Sequence, residues 1–111
     1  MMIHYYQKGT APRTLVLFHG TGGTEEDLVS IGHMLDPEAH ILSLRGEVNE
    51  NGMNRFFKRL AEGVFDEEDL TMRAKQILKE IEELLARYEL RETALHSAGY
   101  SNGANMIAGM L

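Results

Sequence analysis

The run from Phe65 to Tyr88 restricts the fold more than any other stretch of the chain. Leu70, Ile77, Leu78, Ile81, Leu84, Leu85 and Tyr88 recur at helical spacing, with acidic and basic residues between them. That pattern predicts a long amphipathic helix with one buried face. Asp66 is placed to cap its first turn, and Phe65 and Leu70 occupy the two positions of a hydrophobic staple. Glu67, Glu68 and Asp69 supply negative charge where the helix dipole is positive. Extended-looking runs flank the helix on both sides. A helix of this length between strands is the crossover that parallel pairing requires.

The other segments fit that frame. Met2 to Gln7 alternates and carries two tyrosines, as an edge strand does. Thr14 to His19 is a continuous apolar run ending at glycine, the pattern of a strand buried on both faces. Thr24 is expected to cap a helix that opens with Glu25, Glu26 and Asp27, carries Leu28, Ile31 and Leu35 at helical spacing and ends before Pro37. His40 to Leu44 reads as the next strand. Residues 45–57 are expected to form a long irregular, functional loop, with Phe56 and Phe57 arguing against disorder. Thr93 to Tyr100 is the last strand, expected to be central. Strands alternating with helices predict an α/β fold, a mainly parallel sheet with helices on both faces. No internal repeat, low-complexity tract or linker interrupts the chain, so residues 1–111 are expected to form a single domain.

Composition removes several function classes. The 11 Lys and Arg against 17 Asp and Glu give a formal charge of −6, which argues against nucleic acid or an anionic membrane as partner. Without cysteine there is no disulfide framework, thiolate chemistry or cysteine-ligated zinc. No apolar run is long enough to cross a bilayer, and the N-terminus lacks the pattern of a signal peptide. A soluble, cytoplasmic protein is the expectation.

Two glycine-rich segments carry candidate chemistry. Gly99-Tyr100-Ser101-Asn102-Gly103 follows an expected strand and precedes a helix-compatible run. By itself this five-residue pattern is weak, and its bland interpretation is a tight turn with an incidental serine. Its setting is that of a nucleophile elbow, where the glycines relieve a close backbone approach and Ser101 is exposed at the apex. His19-Gly20-Thr21-Gly22-Gly23 ends the earlier buried strand. A loop there supplies one oxyanion N–H in esterases of this architecture, and Asn102, after the serine, supplies the other. The rival interpretation is a phosphate loop, but neither a Walker Lys-Ser/Thr pair nor a G-x-G-x-x-G follows that strand.

Other polar residues have structural explanations. His19 is expected to pack beneath the loop or hold it by a hydrogen bond, and His96 to be a satisfied core histidine. His4, His33 and His40 make no recognisable metal spacing. Arg45, Glu47, Glu50 and Arg55 are expected to be a solvated cluster with internal ion pairs. Gly22, Arg55, Phe56 and Phe57 are the candidates for a substrate pocket. For the two phenylalanines, lining an acyl pocket and anchoring the loop to the core are both open.

The segments 19–23, 44–48, 51–70 and 99–105 together resemble the bacterial phospholipase/carboxylesterase family of α/β-hydrolases, in particular its hydroquinone-stress branch. The resemblance covers essentially the whole chain. It implies a serine esterase in which Ser101 attacks a small-molecule ester, the Thr21 and Asn102 N–H groups hold the oxyanion, and water releases the acid, with no cofactor or metal. In that family the triad acid and histidine follow the nucleophile, on strands beyond the position of Leu111. The chain is therefore expected to be an N-terminal half, with little or no activity alone. It is also expected to form a homo-oligomer or be completed by another chain. The alternative is a non-catalytic module that self-assembles through the open edge of strand 93–100. A further rival is a different enzyme with His96 or His19 as base.

Overall fold

Strand β2 (Arg13–Phe18) runs inside the sheet, where an unbroken apolar run can be covered on both faces. The computed structural model describes residues 2–61 and 63–110. Strand β3 (His40–Leu44) lies parallel to β2 on one side, with Leu42 opposite Val16. Strand β8 (Ala94–Gly99) lies parallel on the other, with Ser97 opposite Val16. Strand β1 (His4–Gln7) is antiparallel to β3 and forms one edge, giving the order β1-β3-β2-β8. The mainly parallel sheet and the edge position of β1 are as the sequence predicted; the antiparallel direction of β1 is an addition.

Side-chain alternation along β2 and β3 divides the core into two layers. Val16, Phe18, Leu42 and Leu44 pack with Ala74, Ile77, Leu84 and Met106 from helices α2 (Glu67–Arg87) and α3 (Asn102–Met110). Leu15, Leu17 and Ile41 pack on the opposite face with Leu28 and Tyr5. Helix α1 (Val29–Leu35) covers that second face, so helices lie on both sides of the sheet.

Helix α2 starts as expected: the Asp66 carboxylate accepts from the Asp69 N–H. Its inner face includes Ala74, whereas Leu78 is 44% exposed and lies outside it. The beginning of α1 differs from expectation. The Thr24 hydroxyl accepts from Glu26 N–H and bonds Asp27 within a turn, and α1 begins only after Leu28, with no side-chain cap. Ile31 and Leu35 face outward; Gly32 is the buried position, where a Cβ would press on Leu17 and Ile41 at 3.1 and 3.2 Å. The helix approaches the sheet so closely at this glycine that its larger neighbours must turn away.

Residues 45–57 are not an irregular loop. Strands β4 (Val48–Glu50) and β5 (Met53–Arg55) form an antiparallel hairpin. Its turn places Asn51 at φ 52° and Gly52 at φ 84°, the left-handed pair that two-residue hairpin turns demand. A second hairpin joins β6 (Arg59–Ala61) to β7 (Val64–Phe65). Strand β8, expected to be central, is the other edge of this sheet, and His96 on it is exposed rather than a core histidine.

The helix face gives a direct test. Leu84→Ala removes a fully buried side chain and should cost about 2–5 kcal/mol, whereas Leu78→Ala should stay within about 0.5 kcal/mol. Urea denaturation of both variants measures the difference.

Candidate active site

The elbow is held against the end of β2. Tyr100 N–H donates to the Phe18 carbonyl at 3.1 Å, Gly103 N–H to Tyr100 O at 3.0 Å, and Asn105 N–H to Ser101 O at 3.0 Å. Ser101 lies at φ 53°, a left-handed conformation that a residue with a side chain keeps only when its surroundings impose it. A Cβ at Gly103 would fall on the carbonyl oxygens of Phe18 and His19, and one at Gly99 would lie 2.8 Å from Ala104 N. Both glycines therefore have the steric role expected from their spacing. Ser101 is exposed at the apex, and Asn102 is buried at the start of α3.

The glycine-rich loop after β2 is fastened to the β4–β5 hairpin. Gly22 N–H donates to Asn54 O at 2.9 Å, and Asn54 Nδ2 donates to Gly23 O at 2.9 Å. Arg55 Nη1 donates to Thr21 Oγ1 at 2.6 Å, while its Nε donates to Phe57 O at 3.0 Å. Arg45 grips Glu25 with two bonds, at 2.7 and 3.0 Å. Burial alone would raise the Glu25 carboxyl, but this pairing holds it below its ordinary value.

His19 is 1% exposed and packs against Phe56 with ring centroids 4.6 Å apart. Gly46 N–H donates to its Nε2 at 3.0 Å, so Nε2 carries no proton. The proton is then on Nδ1, which donates to Gly20 O at 2.6 Å. Burial is the main cause of its lowered pKa; the Gly20 bond and the charges of Asp27 and Glu25 oppose the shift, and Arg45 adds to it. Protonation would also abolish the bond from Gly46. His19 therefore acts as a strut for the loop, with both ring nitrogens committed.

Thr21, Arg55, Ser101 and Asn102 meet in a cleft of about 180 Å3, completed by Arg59, Gly63, Phe65 and Asn105. Among the described residues, the lining contains no histidine, aspartate or glutamate. Among the described residues, no hydrogen-bond acceptor is present for the Thr21 or Asn102 backbone N–H. Gly22 is not part of the cleft wall; it lies over Met53. Phe56 and Phe57 are 1% and 0% exposed and anchor the loop instead of lining the cleft. Phe56 meets Phe18 edge-on at 5.3 Å and Phe57 meets Phe65 at 5.2 Å. Phe56 N–H also donates to Asn102 Oδ1 at 2.7 Å, tying the loop to the elbow.

The charged cluster is only partly internal. Arg45 pairs with Glu25 outside the segment, while Glu50 pairs with Arg55 and with Arg59. Arg55 is 3% exposed; burial and then the Arg59 charge push its pKa down, against the pull of Glu50. Arg59 and Asn105 were absent from the sequence candidates, because only the hairpins and the first turn of α3 bring them beside Ser101. The signal available for the first hairpin was Asn51-Gly52 between short extended runs. Among the described residues no three His, Asp or Glu side chains gather as a metal-binding group. No described helix is long and apolar enough to cross a membrane. A broader depression, about 620 Å3, runs along the outer face of α2 by Thr71 and Met72, and includes none of the elbow or loop residues.

No family model matches the chain. It is 51% identical over 110 residues to a protein of Bacillus subtilis (strain 168) named "Putative hydrolase MhqD", a match covering 99% of this chain and 55% of that one. The crystal structure of the Bacillus cereus carboxylesterase superposes with a TM-score of 0.96 at 49% identity, over 100% of this chain and 53% of the other. The structure of YahD with malic acid follows at a TM-score of 0.93 and 36% identity, over 99% and 56% of the two chains. The chain thus spans about half the length of the relatives it matches, and it resembles the N-terminal half of a carboxylesterase with the α/β-hydrolase fold.

The strut formed by His19 predicts a pH dependence. Its folded pKa is lowered, so its contribution to stability is fully present above the unfolded value of about 6.5. Below that pH the unfolded chain takes up a proton that the folded chain refuses, and stability falls until the lowered folded pKa is passed. Urea denaturation from about pH 6.5 to about pH 5 should show this loss, and His19→Gln should flatten it.

Proposed function

We propose that residues 1–111 are one partial α/β-hydrolase domain carrying the nucleophile and oxyanion donors of a serine carboxylesterase. The observation that carries this is Ser101, held at φ 53° between a strand and a helix in the same cleft as Thr21 and Asn102. Ser101 Oγ would attack the carbonyl carbon of a small-molecule ester while a general base takes its proton. The tetrahedral oxyanion would accept from the Thr21 and Asn102 N–H groups, helped by the positive end of α3. Collapse would expel the alcohol and leave an acyl-enzyme, which water then hydrolyses. No cofactor enters this scheme, and it is compatible with a cytoplasmic location.

Among the described residues the cleft lining holds no histidine or carboxylate, so a base has to be brought to Ser101 from elsewhere. His19 is committed as a strut, and His96 lies exposed on β8. We therefore expect the 111-residue chain to hydrolyse an aryl acetate little faster than buffer does. Fusion to the remaining half of the Bacillus cereus carboxylesterase should restore turnover, and Ser101→Ala in that fusion should lower it by about 10³-fold or more. A folded fusion whose turnover is indifferent to Ser101→Ala would refute the proposal.

A second reading is self-assembly through the open edge of β8. It is favoured by that strand's edge position and by Leu95 and Tyr100, which are 49% and 69% exposed. Light scattering should then show concentration-dependent association of the chain; a monomer at every concentration removes this reading.

A further inference from the structure

We propose that the cleft beside Ser101 recognises a carboxylate, so that the favoured ester carries a free acid group, and that Arg59 reads it. The inference takes its location from the esterase reading of Ser101 but rests on separate observations. Arg55 and Arg59 both line the cleft and share one described carboxylate. Glu50 lies 3.5 Å from Arg55 Nε, and its Oε1 accepts from Arg59 Nε at 2.9 Å and lies 2.8 Å from Arg59 Nη2. Two positive charges therefore face one negative charge among these described groups, in a chain whose formal charge is −6.

The two guanidiniums differ in freedom. Arg55 is buried, with Nε on Phe57 O and Nη1 on Thr21 Oγ1, so it supplies a fixed positive field. Arg59 is more open, with its side chain 28% exposed, and its Nη1 has no partner among the described residues. A carboxylate entering the cleft would accept from that edge of Arg59 and relieve the repulsion between the two cations. The neutral polar groups favour the same ligand. Asn105 lines the cleft, and so does Asn102, which is 3% exposed and whose Nδ2 is buried without a partner. The cleft's 180 Å3 is room for on the order of six waters, which suits a small acid. Among the described groups, one surplus positive charge matches a singly charged carboxylate better than a doubly charged phosphate.

The test compares monomethyl succinate with dimethyl succinate, which offer the same ester carbonyl with and without a neighbouring charge. Each is titrated into the isotope-labelled chain at neutral pH, and affinity is read from amide shifts. Monomethyl succinate should bind about tenfold more tightly and shift the amides of Thr21, Asn102 and Asn105. Arg59→Gln should erase that preference. Glu50→Gln, which removes the competing carboxylate, should enlarge it several-fold, so the two variants move in opposite directions. Equal affinity for the two esters, a preference that survives Arg59→Gln, absence of saturable binding by the anionic ester, or inorganic phosphate binding as tightly as monomethyl succinate would each overturn the proposal. Binding is read without turnover. An anion preference alongside a fusion indifferent to Ser101→Ala would defeat only the esterase reading. Ser101-dependent turnover without the preference would defeat only this proposal.

Discussion

The seating of the elbow on the last residues of β2 is the constraint from which the rest of the site follows. Phe18 O accepts from Tyr100 N–H, and Gly103 packs onto the Phe18 and His19 carbonyls so closely that no Cβ fits. These contacts join the end of the buried strand β2 to the turn after the edge strand β8. They fix where α3 begins and therefore where the Asn102 N–H points. They also fix where the loop from His19 to Gly23 leaves the sheet. Two segments some eighty residues apart in sequence can meet at one cleft only if both are referenced to a common point.

Referencing the start of a glycine-rich loop does not hold its tip. Glycines at 20, 22 and 23 leave the chain many conformations to lose, and the loop has no sheet ladder to choose among them. The β4–β5 hairpin makes the choice. It meets the loop at Gly22, Gly23 and Thr21, while Gly46 reaches back to His19. Phe56 and Phe57, buried beneath, keep the hairpin from lifting, and Phe56 N–H reaches Asn102. The bracing segment is thus connected both to the loop and to the elbow.

The frame of this fold was legible because period and burial coincide in it. The apolar run of β2 and the stripe on α2 each point to one secondary structure, and both formed as the pattern required. The elbow was legible because its glycines answer a steric need that recurs wherever a strand turns sharply into a helix. Where one small residue outweighed its neighbours, the pattern misled. Gly32 draws α1 onto the sheet and turns Ile31 and Leu35 outward, although their spacing suggested an inner stripe. Phe56 and Phe57 could equally have lined a pocket or filled a core, since hydrophobicity alone does not say which side of a wall a ring occupies. Arg59 and Asn105 could not be found at all, because their place beside Ser101 depends on how two short hairpins fold back.

Arg55 shows what this arrangement costs. Burying a guanidinium is unfavourable by several kcal/mol unless its donors are met. Here the Phe57 carbonyl, the Thr21 hydroxyl and the more distant Glu50 carboxylate meet them in part. An apolar side chain of similar size would fill the same space without that penalty. It could not hold Thr21 from below, because only a planar fork of donors reaches the loop hydroxyl and the Phe57 carbonyl at once. Nor would it place a positive charge beside the serine. The second guanidinium, Arg59, adds repulsion that packing does not need. Stability alone would not call for a buried guanidinium at Arg55 beside the partly exposed Arg59. Their presence at the cleft wall is best explained by what the cleft has to hold.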